Sequence, residues 1–310
     1  MTMAPPLVIA GPTASGKSGV ALTLAEALNG AIICADSRQF YEGMVVGTAG
    51  PSERERAQVP HLLFHDFSPE SPLDAARFVR LADEAIGKCR KQAQQPILVG
   101  GTGLYLRSWR YGIDDAPPSD PQIREHFEAR LRQEGIATLH AELLNLDPQA
   151  ASRIHPNDPV RTVRALEIHK ITQKPPSRLL PGNFAERPLR QTGHHVLIWP
   201  TLEWLRPRLQ ARAREMFNEE LIKEVRDLHK RLPAENRLLK TMGYEEAHLY
   251  VQGKISEEEA IAQMIKRQWT YARRQRTWFK KENWWRVYPA DQPNLARSIL
   301  ADWRDVGATS

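Results

Sequence analysis

Leu7-Val8-Ile9-Ala10-Gly11-Pro12-Thr13-Ala14-Ser15-Gly16-Lys17-Ser18, running on into the helix-like stretch Gly19 to Leu28, decides the fold of this chain. The apolar run reads as a strand, the Gly-x-x-x-x-Gly-Lys-Ser segment as a phosphate loop, and Gly19 to Leu28 as a helix. The backbone N–H groups of such a loop and the helix N-terminus cradle a diphosphate, and a lysine adds positive charge. Gly11, Pro12, Thr13, Ala14, Ser15, Gly16, Lys17 and Ser18 are therefore the candidate diphosphate-binding residues, with the Ser18 hydroxyl as the candidate ligand for Mg²⁺. A chance glycine-rich turn would carry no such strand and helix on its flanks.

Working outward, Ala31 to Ala35 forms a second apolar run ending at Asp36, and Ile97 to Val99 a third ending at Gly100-Gly101-Thr102-Gly103. A helical stretch, 73 to 93, precedes the third run. Strands alternating with helices predict a parallel α/β sheet, whose ligands collect at the carboxyl ends of the strands. The loop, Asp36 and Thr102 all fall there. An ordinary P-loop NTPase also places an acidic residue at the end of another core strand, and the run Ile97 to Val99 has none. Asp36 is the carboxylate well placed at a strand end, and spacing leaves it open as metal ligand, general base or cap. Gly-Gly-Thr-Gly is likewise either a hydroxyl in a close-approach loop or a tight turn.

From Asp120 to about Thr172 the pattern becomes helical only: Asp120 to Glu134, Ala137 to Leu146, and a helix opened by Asn157-Asp158-Pro159. His195 to Trp199 reads as a returning strand. Residues 201 to 231, 244 to 252 and 256 to about 286 then read as helices, the last started by Ser256 and Glu259 in a capping box. The expected fold is α/β: a P-loop NTPase-like core with a parallel sheet over 1–114 and 194–310, an all-helical insertion domain over 115–193, and a helical C-terminal region. Pro-rich stretches at 114–121 and 174–190 read as hinges.

The 310 residues suffice for a sizeable core with an insertion. With 41% hydrophobic and 26% charged residues, the chain has a globular composition, and no apolar stretch nears the ~20 residues of a membrane span. Met1 to Pro6 carries no basic leader, so a cytoplasmic location is expected. Cys34 and Cys89, each alone in apolar surroundings, speak against a zinc site or disulfide framework and read as buried thiols. A net charge of +6 suits an anionic partner. No long heptad or exposed apolar stripe points to self-association, so a monomer is expected.

The charge is concentrated. Lys266, Arg267, Arg273, Arg274, Arg276, Lys280, Lys281 and Arg286 alternate with Trp269, Tyr271, Trp278, Phe279, Trp284 and Trp285. Cations neutralise phosphates and aromatic rings stack on unpaired bases, so this reads as an RNA surface; the competing reading is a solvated basic face over an aromatic core. In the insertion, Arg153, His155, Arg161 and Arg164 gather around Asn157-Asp158, either as an RNA contact or as a surface ion-pair group.

Taken in order, Gly11 to Ser18, Asp36-Ser37-Arg38-Gln39, Gly47-Thr48-Ala49, Gly100 to Tyr105, Arg153-Ile154-His155-Pro156-Asn157-Asp158, Met242-Gly243-Tyr244 and Arg274-Gln275 closely resemble the bacterial tRNA dimethylallyltransferases, or tRNA isopentenyltransferases. The resemblance runs through nearly the whole chain. It implies transfer of a dimethylallyl group from dimethylallyl diphosphate to N6 of the adenine just 3′ of the anticodon of tRNA, releasing diphosphate with Mg²⁺ present. By it, the loop holds the prenyl donor's diphosphate rather than ATP, Asp36 is the general base, and Thr102 is a hydroxyl near the reacting centre. Asp36, Ser37, Arg38, Gln39 and Thr102 would meet the adenine.

The same resemblance makes Val160, Arg161, Thr162, Val163 and Arg164 tRNA contacts, with Arg124 beside them. It adds Lys240, Thr241, Met242, Gly243, Tyr244 and Glu245, and then Arg273, Arg274, Gln275, Arg276, Thr277, Trp278, Phe279 and Lys280. Arg208 and Arg212 match family positions without a clear role. Gly50, Glu220 and Glu245 depart from residues usual in the family, and no zinc finger is present. A P-loop nucleoside or small-molecule kinase is the main alternative, and a non-enzymatic RNA-binding ATPase another.

Overall fold

The computed structural model describes residues 4–71, 73–180 and 187–308. The chain divides into two compact units, Met1–Arg110 with Leu189–Ser310, and Tyr111–Pro188. Sequence patterning sets the insertion at 115–193. Of the expected hinge 174–190, residues 181–186 lie outside the described residues.

The first unit is built on six strands: β1 (Leu7–Ala10), β2 (Gly30–Cys34), β3 (His61–Leu62), β4 (Gln95–Gly100), β5 (His194–Trp199) and β6 (Arg286–Pro289), in the order β3-β2-β4-β1-β5-β6. Every pairing is parallel. β1, β2 and β4 are buried along their whole length, which is why they read as unbroken apolar runs rather than alternating ones. Ala10 lies opposite both Gly100 and Leu197, and Cys34 opposite Val99. This register ends β1, β2 and β4 almost level, so the segments beginning at Gly11, Ala35 and Gly101 leave from one edge.

Helix Lys17–Ala27 follows the phosphate loop, and Ala75–Lys91 leads to β4. The expected helix 201–231 is two, Leu202–Met216 and Glu219–Arg231, because the Asn218 side chain accepts the Leu221 N–H and starts the second. The expected helix from 256 to about 286 stops at Phe279. Beyond it Trp284 and Trp285 pack together, with centroids 3.8 Å apart, and Arg286–Pro289 pairs with β5 instead of continuing the helix. That edge strand and the two-residue β3 are too short and too exposed to show an apolar run, and the helices Gly103–Tyr111 and Leu295–Ala308 are further elements absent from the expected order. Cys34 and Cys89 are buried and unpaired.

The second unit is helical among its described residues: Pro121–Leu146, Pro148–Arg153, Pro159–Thr172 and Pro176–Leu179. Asp120, Asp147 and Asp158 cap the first three, each with proline in the first turn. Gly135, at φ 81° and ψ 165°, breaks the first helix where the sequence pattern places a gap between 134 and 137. Phe127, Leu139, Leu143, Val163 and Leu166 form its core. The fully buried Glu167 accepts hydrogen bonds from the Ser119 hydroxyl, the Asp120 N–H and Arg164.

No helix among the described residues is long and apolar enough to cross a membrane.

Candidate active site

The strand-end edge of the first unit opens into a cleft of about 800 Å³. Thr13, Lys17 and Ser18 of the phosphate loop line it, together with Asp36, Ser37, Arg38 and Gln39 from the end of β2. Gly16 takes φ 85°, a left-handed conformation open to glycine, which turns the loop so that its last residues begin the helix. Asp36 accepts the Arg38 N–H at 3.0 Å, a short turn that fixes its carboxylate at the cleft wall.

Two cations face Asp36. Burial pulls the Lys17 ammonium down to about 8, with Asp36 opposing that shift and Arg212 adding to it. Burial also lowers the Arg212 guanidinium, again against the pull of Asp36. Two desolvated cations beside one carboxylate leave a site short of negative charge, as an anion-binding pocket requires. The Arg212 guanidinium donates to the Thr48 carbonyl at 3.4 Å, which orients it toward the cleft.

Gln275, about one turn before the end of the helix Glu257–Phe279, ties the floor together. The Thr13 N–H donates to its Oε1 at 2.8 Å, and its Nε2 donates to the Gly101 carbonyl at 2.9 Å. One buried amide thus joins the phosphate loop to the loop after β4. Close approach explains the glycines there: a Cβ on Gly103 would lie 2.2 Å from the Trp278 ring, and one on Gly101 2.3 Å from Gln275 Nε2. Thr102 Oγ1 accepts the Ser37 N–H at 2.9 Å, and its hydroxyl also bonds the Tyr271 phenol, which burial and then Asp36 push well above the usual tyrosine range. Thr102 lines an adjoining pocket of about 190 Å³ that shares Tyr271 and Arg274 with the main cleft.

The other expected contact residues sort by exposure. Lys240, Thr241, Met242 and Arg274 line the cleft, as do Gln263, Lys266, Arg267 and Tyr271. Arg273, Thr277 and Trp278 line an open groove of about 410 Å³ along the same helix, and Lys280 is exposed. Of the remaining residues in these segments several are buried or engaged within the protein, a correction to the expectation that each offers a surface to RNA. Tyr244, Gln275 and Phe279 are buried. Gly243 is a turn residue at φ 92° whose N–H bonds Glu246. Arg276 lies 4.2 Å over Trp199 and donates to the Pro200 carbonyl, so its guanidinium braces the helix against the end of β5. Glu245 pairs with Arg267 at 2.6 Å.

Within the second unit Val160 and Arg161 are exposed, Thr162 and Val163 belong to its core, and Arg164 is bound by Glu167 and the Pro117 carbonyl. Arg124 pairs with Glu128 one helical turn on.

Arg212, without a role from sequence alone, is the cationic partner of Lys17, and Gln275, expected among the RNA contacts, is a clamp between two loops. Helical spacing was the available signal. Arg267, Tyr271, Arg274 and Trp278 recur every three or four residues and define the face turned to the strand ends, beside which Gln275 lies.

A parallel α/β core with a phosphate loop at its strand ends, where Lys17 and Arg212 face the carboxylate of Asp36, defines a P-loop-like α/β protein. Residues 39–282 match the family described as IPP transferase, and the chain belongs to that family. A tRNA dimethylallyltransferase of Anaeromyxobacter dehalogenans is 42% identical over 94% of this chain and 98% of its own. One from Thermus thermophilus is 40% identical over 89% of each. Among solved structures, a tRNA isopentenylpyrophosphate transferase from Bacillus halodurans superposes with a TM-score of 0.70 at 31% identity, covering 99% of this chain and 96% of that one. A eukaryotic dimethylallyltransferase acting on tRNA gives 0.81 at 25% identity, covering 99% and 80%.

Proposed function

We propose that this protein transfers the dimethylallyl group of dimethylallyl diphosphate to N6 of the adenine 3′ of the anticodon in tRNA, releasing diphosphate. The observation that carries this reading is the pair of half-buried cations, Lys17 and Arg212, set against the carboxylate of Asp36 in a cleft large enough for a base and a short prenyl chain. The end of β4 supports it too: Gly100 to Gly103 has no carboxylate of the kind a P-loop kinase uses for its metal.

In this mechanism the loop amides, Lys17 and Arg212 hold the diphosphate. The C–O bond to the allylic carbon breaks with its electron pair leaving on the diphosphate, and the new N–C bond forms from the adenine amine. An exocyclic amine is a poor nucleophile, so Asp36 accepts its proton as that bond forms. The two cations stabilise charge growing on the leaving group. Thr102 holds Ser37, and with it the turn that carries Asp36.

Mg²⁺ suits the donors at hand. The Ser18 hydroxyl, at the end of the phosphate loop on the cleft, is a hard oxygen that would hold the ion together with the diphosphate's own oxygens, leaving Asp36 free as the base. When bound beside the diphosphate, the ion neutralises its negative charge. The exposed cations Arg273, Arg274 and Lys280 are the phosphate contacts of the anticodon stem-loop. The adenine leaves its stack to enter the cleft. The protein works as a monomer on cytoplasmic tRNA.

The test is incubation with Mg²⁺, dimethylallyl diphosphate and an unmodified anticodon stem-loop, then mass analysis of the digested nucleosides. A gain of one dimethylallyl group on adenosine is expected. No gain, with ATP consumed in a parallel reaction, would replace this reading with a kinase.

A further inference from the structure

We infer that Glu224, which neither carries charge to the cleft nor lines it, is a positioning residue that sets the turn Val45–Ala49 and through it the cationic and amide groups of the active site. The inference rests on the prenyl-transfer reading above for its kinetic consequence, though not for its structural one.

The turn includes the 3-10 helical segment Val46–Thr48, and no side chain of its own caps it at Val45. Glu224, on the helix Glu219–Arg231, supplies the cap from 177 residues away in the sequence. Its Oε1 accepts the Val45 N–H at 3.0 Å and the Val46 N–H at 2.9 Å, and its Oε2 accepts the Gly47 N–H at 3.3 Å. The Tyr244 hydroxyl donates to Oε2 at 2.7 Å. One carboxylate thus gathers donors from two segments that both reach the cleft, 47–49 and 240–244. Charge-assisted bonds to backbone N–H groups are the strong kind, and three converging on one group leave the turn little freedom.

The turn delivers its effect through carbonyls. Gln39 Nε2 donates to the carbonyls of Thr48 and Ala49 at 2.9 and 2.8 Å, and Arg212 donates to the same Thr48 carbonyl. Gln39 and Arg212 both line the cleft. Their direction is therefore set by a turn that Glu224 holds. Space is tight as well: a Cβ on Gly47 would lie 2.3 Å from the Tyr244 ring, so turn and ring move together.

The experiment compares wild type with Glu224→Gln, Glu224→Asp and Tyr244→Phe. Amide hydrogen exchange is followed at Val45, Val46 and Gly47, and steady-state kinetics are measured with dimethylallyl diphosphate and an anticodon stem-loop. Glu224→Gln sets an NH₂ group where a carboxylate oxygen was. It should raise exchange at those amides tenfold or more and lower kcat about 10- to 100-fold, with the stem-loop Kd within about twofold and the melting temperature little moved. Glu224→Asp keeps the charge and should recover part of kcat, and Tyr244→Phe should cost less than Glu224→Gln. Losses of Glu224→Gln and Gln39→Ala should be non-additive, since both act through the Thr48 carbonyl.

Unchanged exchange at the three amides overturns the inference, as does a loss seen only in stem-loop Kd, or full additivity with Gln39→Ala. Wild-type protein that transfers no dimethylallyl group, with amide protection lost in Glu224→Gln, sinks the functional reading and leaves the positioning role standing.

Discussion

Replacing Gln275 by alanine tests how the cleft floor is assembled. The substitution removes two hydrogen bonds of 2.8 and 2.9 Å and strands the Thr13 N–H and the Gly101 carbonyl in surroundings that hold them from water. An unsatisfied buried polar group costs about 1–3 kcal/mol, so two such groups cost roughly 3 kcal/mol once partial relaxation is allowed. For a protein of this size that lowers Tm by about 5 °C. The phosphate loop also loses its tie to the β4 loop, and diphosphate affinity should fall about tenfold, equivalent to about 1.4 kcal/mol. Gln275→Glu makes the sharper comparison. It keeps an acceptor for Thr13 but turns a carboxylate oxygen on the Gly101 carbonyl and adds negative charge beside an anion site, so its diphosphate affinity should fall further than that of the alanine variant. Differential scanning calorimetry and diphosphate titration by calorimetry read both effects, and stem-loop affinity is the control. An alanine variant that melts within a degree or two of wild type and binds diphosphate as tightly, yet binds the stem-loop worse, would refute the clamp and return Gln275 to the RNA surface.

Asp36→Asn should lower turnover by about 10²–10⁴ fold with stem-loop affinity nearly unchanged, measured by single-turnover kinetics; a loss of only a few fold would rule out Asp36 as the base. Arg274→Ala should weaken stem-loop binding and reduce the slope of log K against log salt by about 1, with the donor's affinity intact; an unchanged slope would remove Arg274 from the interface. Lys17 predicts a pH effect. Its value of about 8 in the folded protein lies below 10.5, so between these values the unfolded chain binds more protons and this group's contribution to stability rises with pH. Diphosphate binding runs the other way: affinity should fall as pH rises through about 8 and the ammonium loses its proton. Lys17→Arg, titrated in parallel to cancel the ligand's own ionisation, should lack that fall; superimposable profiles would show that Lys17 does not titrate there.

Much of the site was legible because its parts are local. Gly16-Lys17-Ser18 needs only its own turn and helix, and Asp36 only the end of its strand, so neighbouring residues carry the signal. The C-terminal basic helix was legible as a helix but not in its division of labour. Arg274 and Arg276 are two residues apart and chemically alike, yet one lines the cleft and the other is held by Trp199 and Pro200. A rotation of roughly 200° between positions two apart on a helix accounts for the difference, and only packing says which side faces in.

By itself the sequence determined the phosphate loop, the parallel α/β order, the helical character of 120–172 and, through the ordered motifs, the family, because these rest on short-range patterns of apolar spacing, caps and glycines. The tertiary structure decided what distant residues do to one another. Arg212 became the partner of Lys17, Gln275 the link between two loops, Glu224 the cap of a turn far from it in the chain, and Arg286–Pro289 a strand rather than the tail of a helix. The physical reason is that burial, desolvation and hydrogen bonds between segments depend on proximity in space, and no local pattern in the chain encodes which segments will meet.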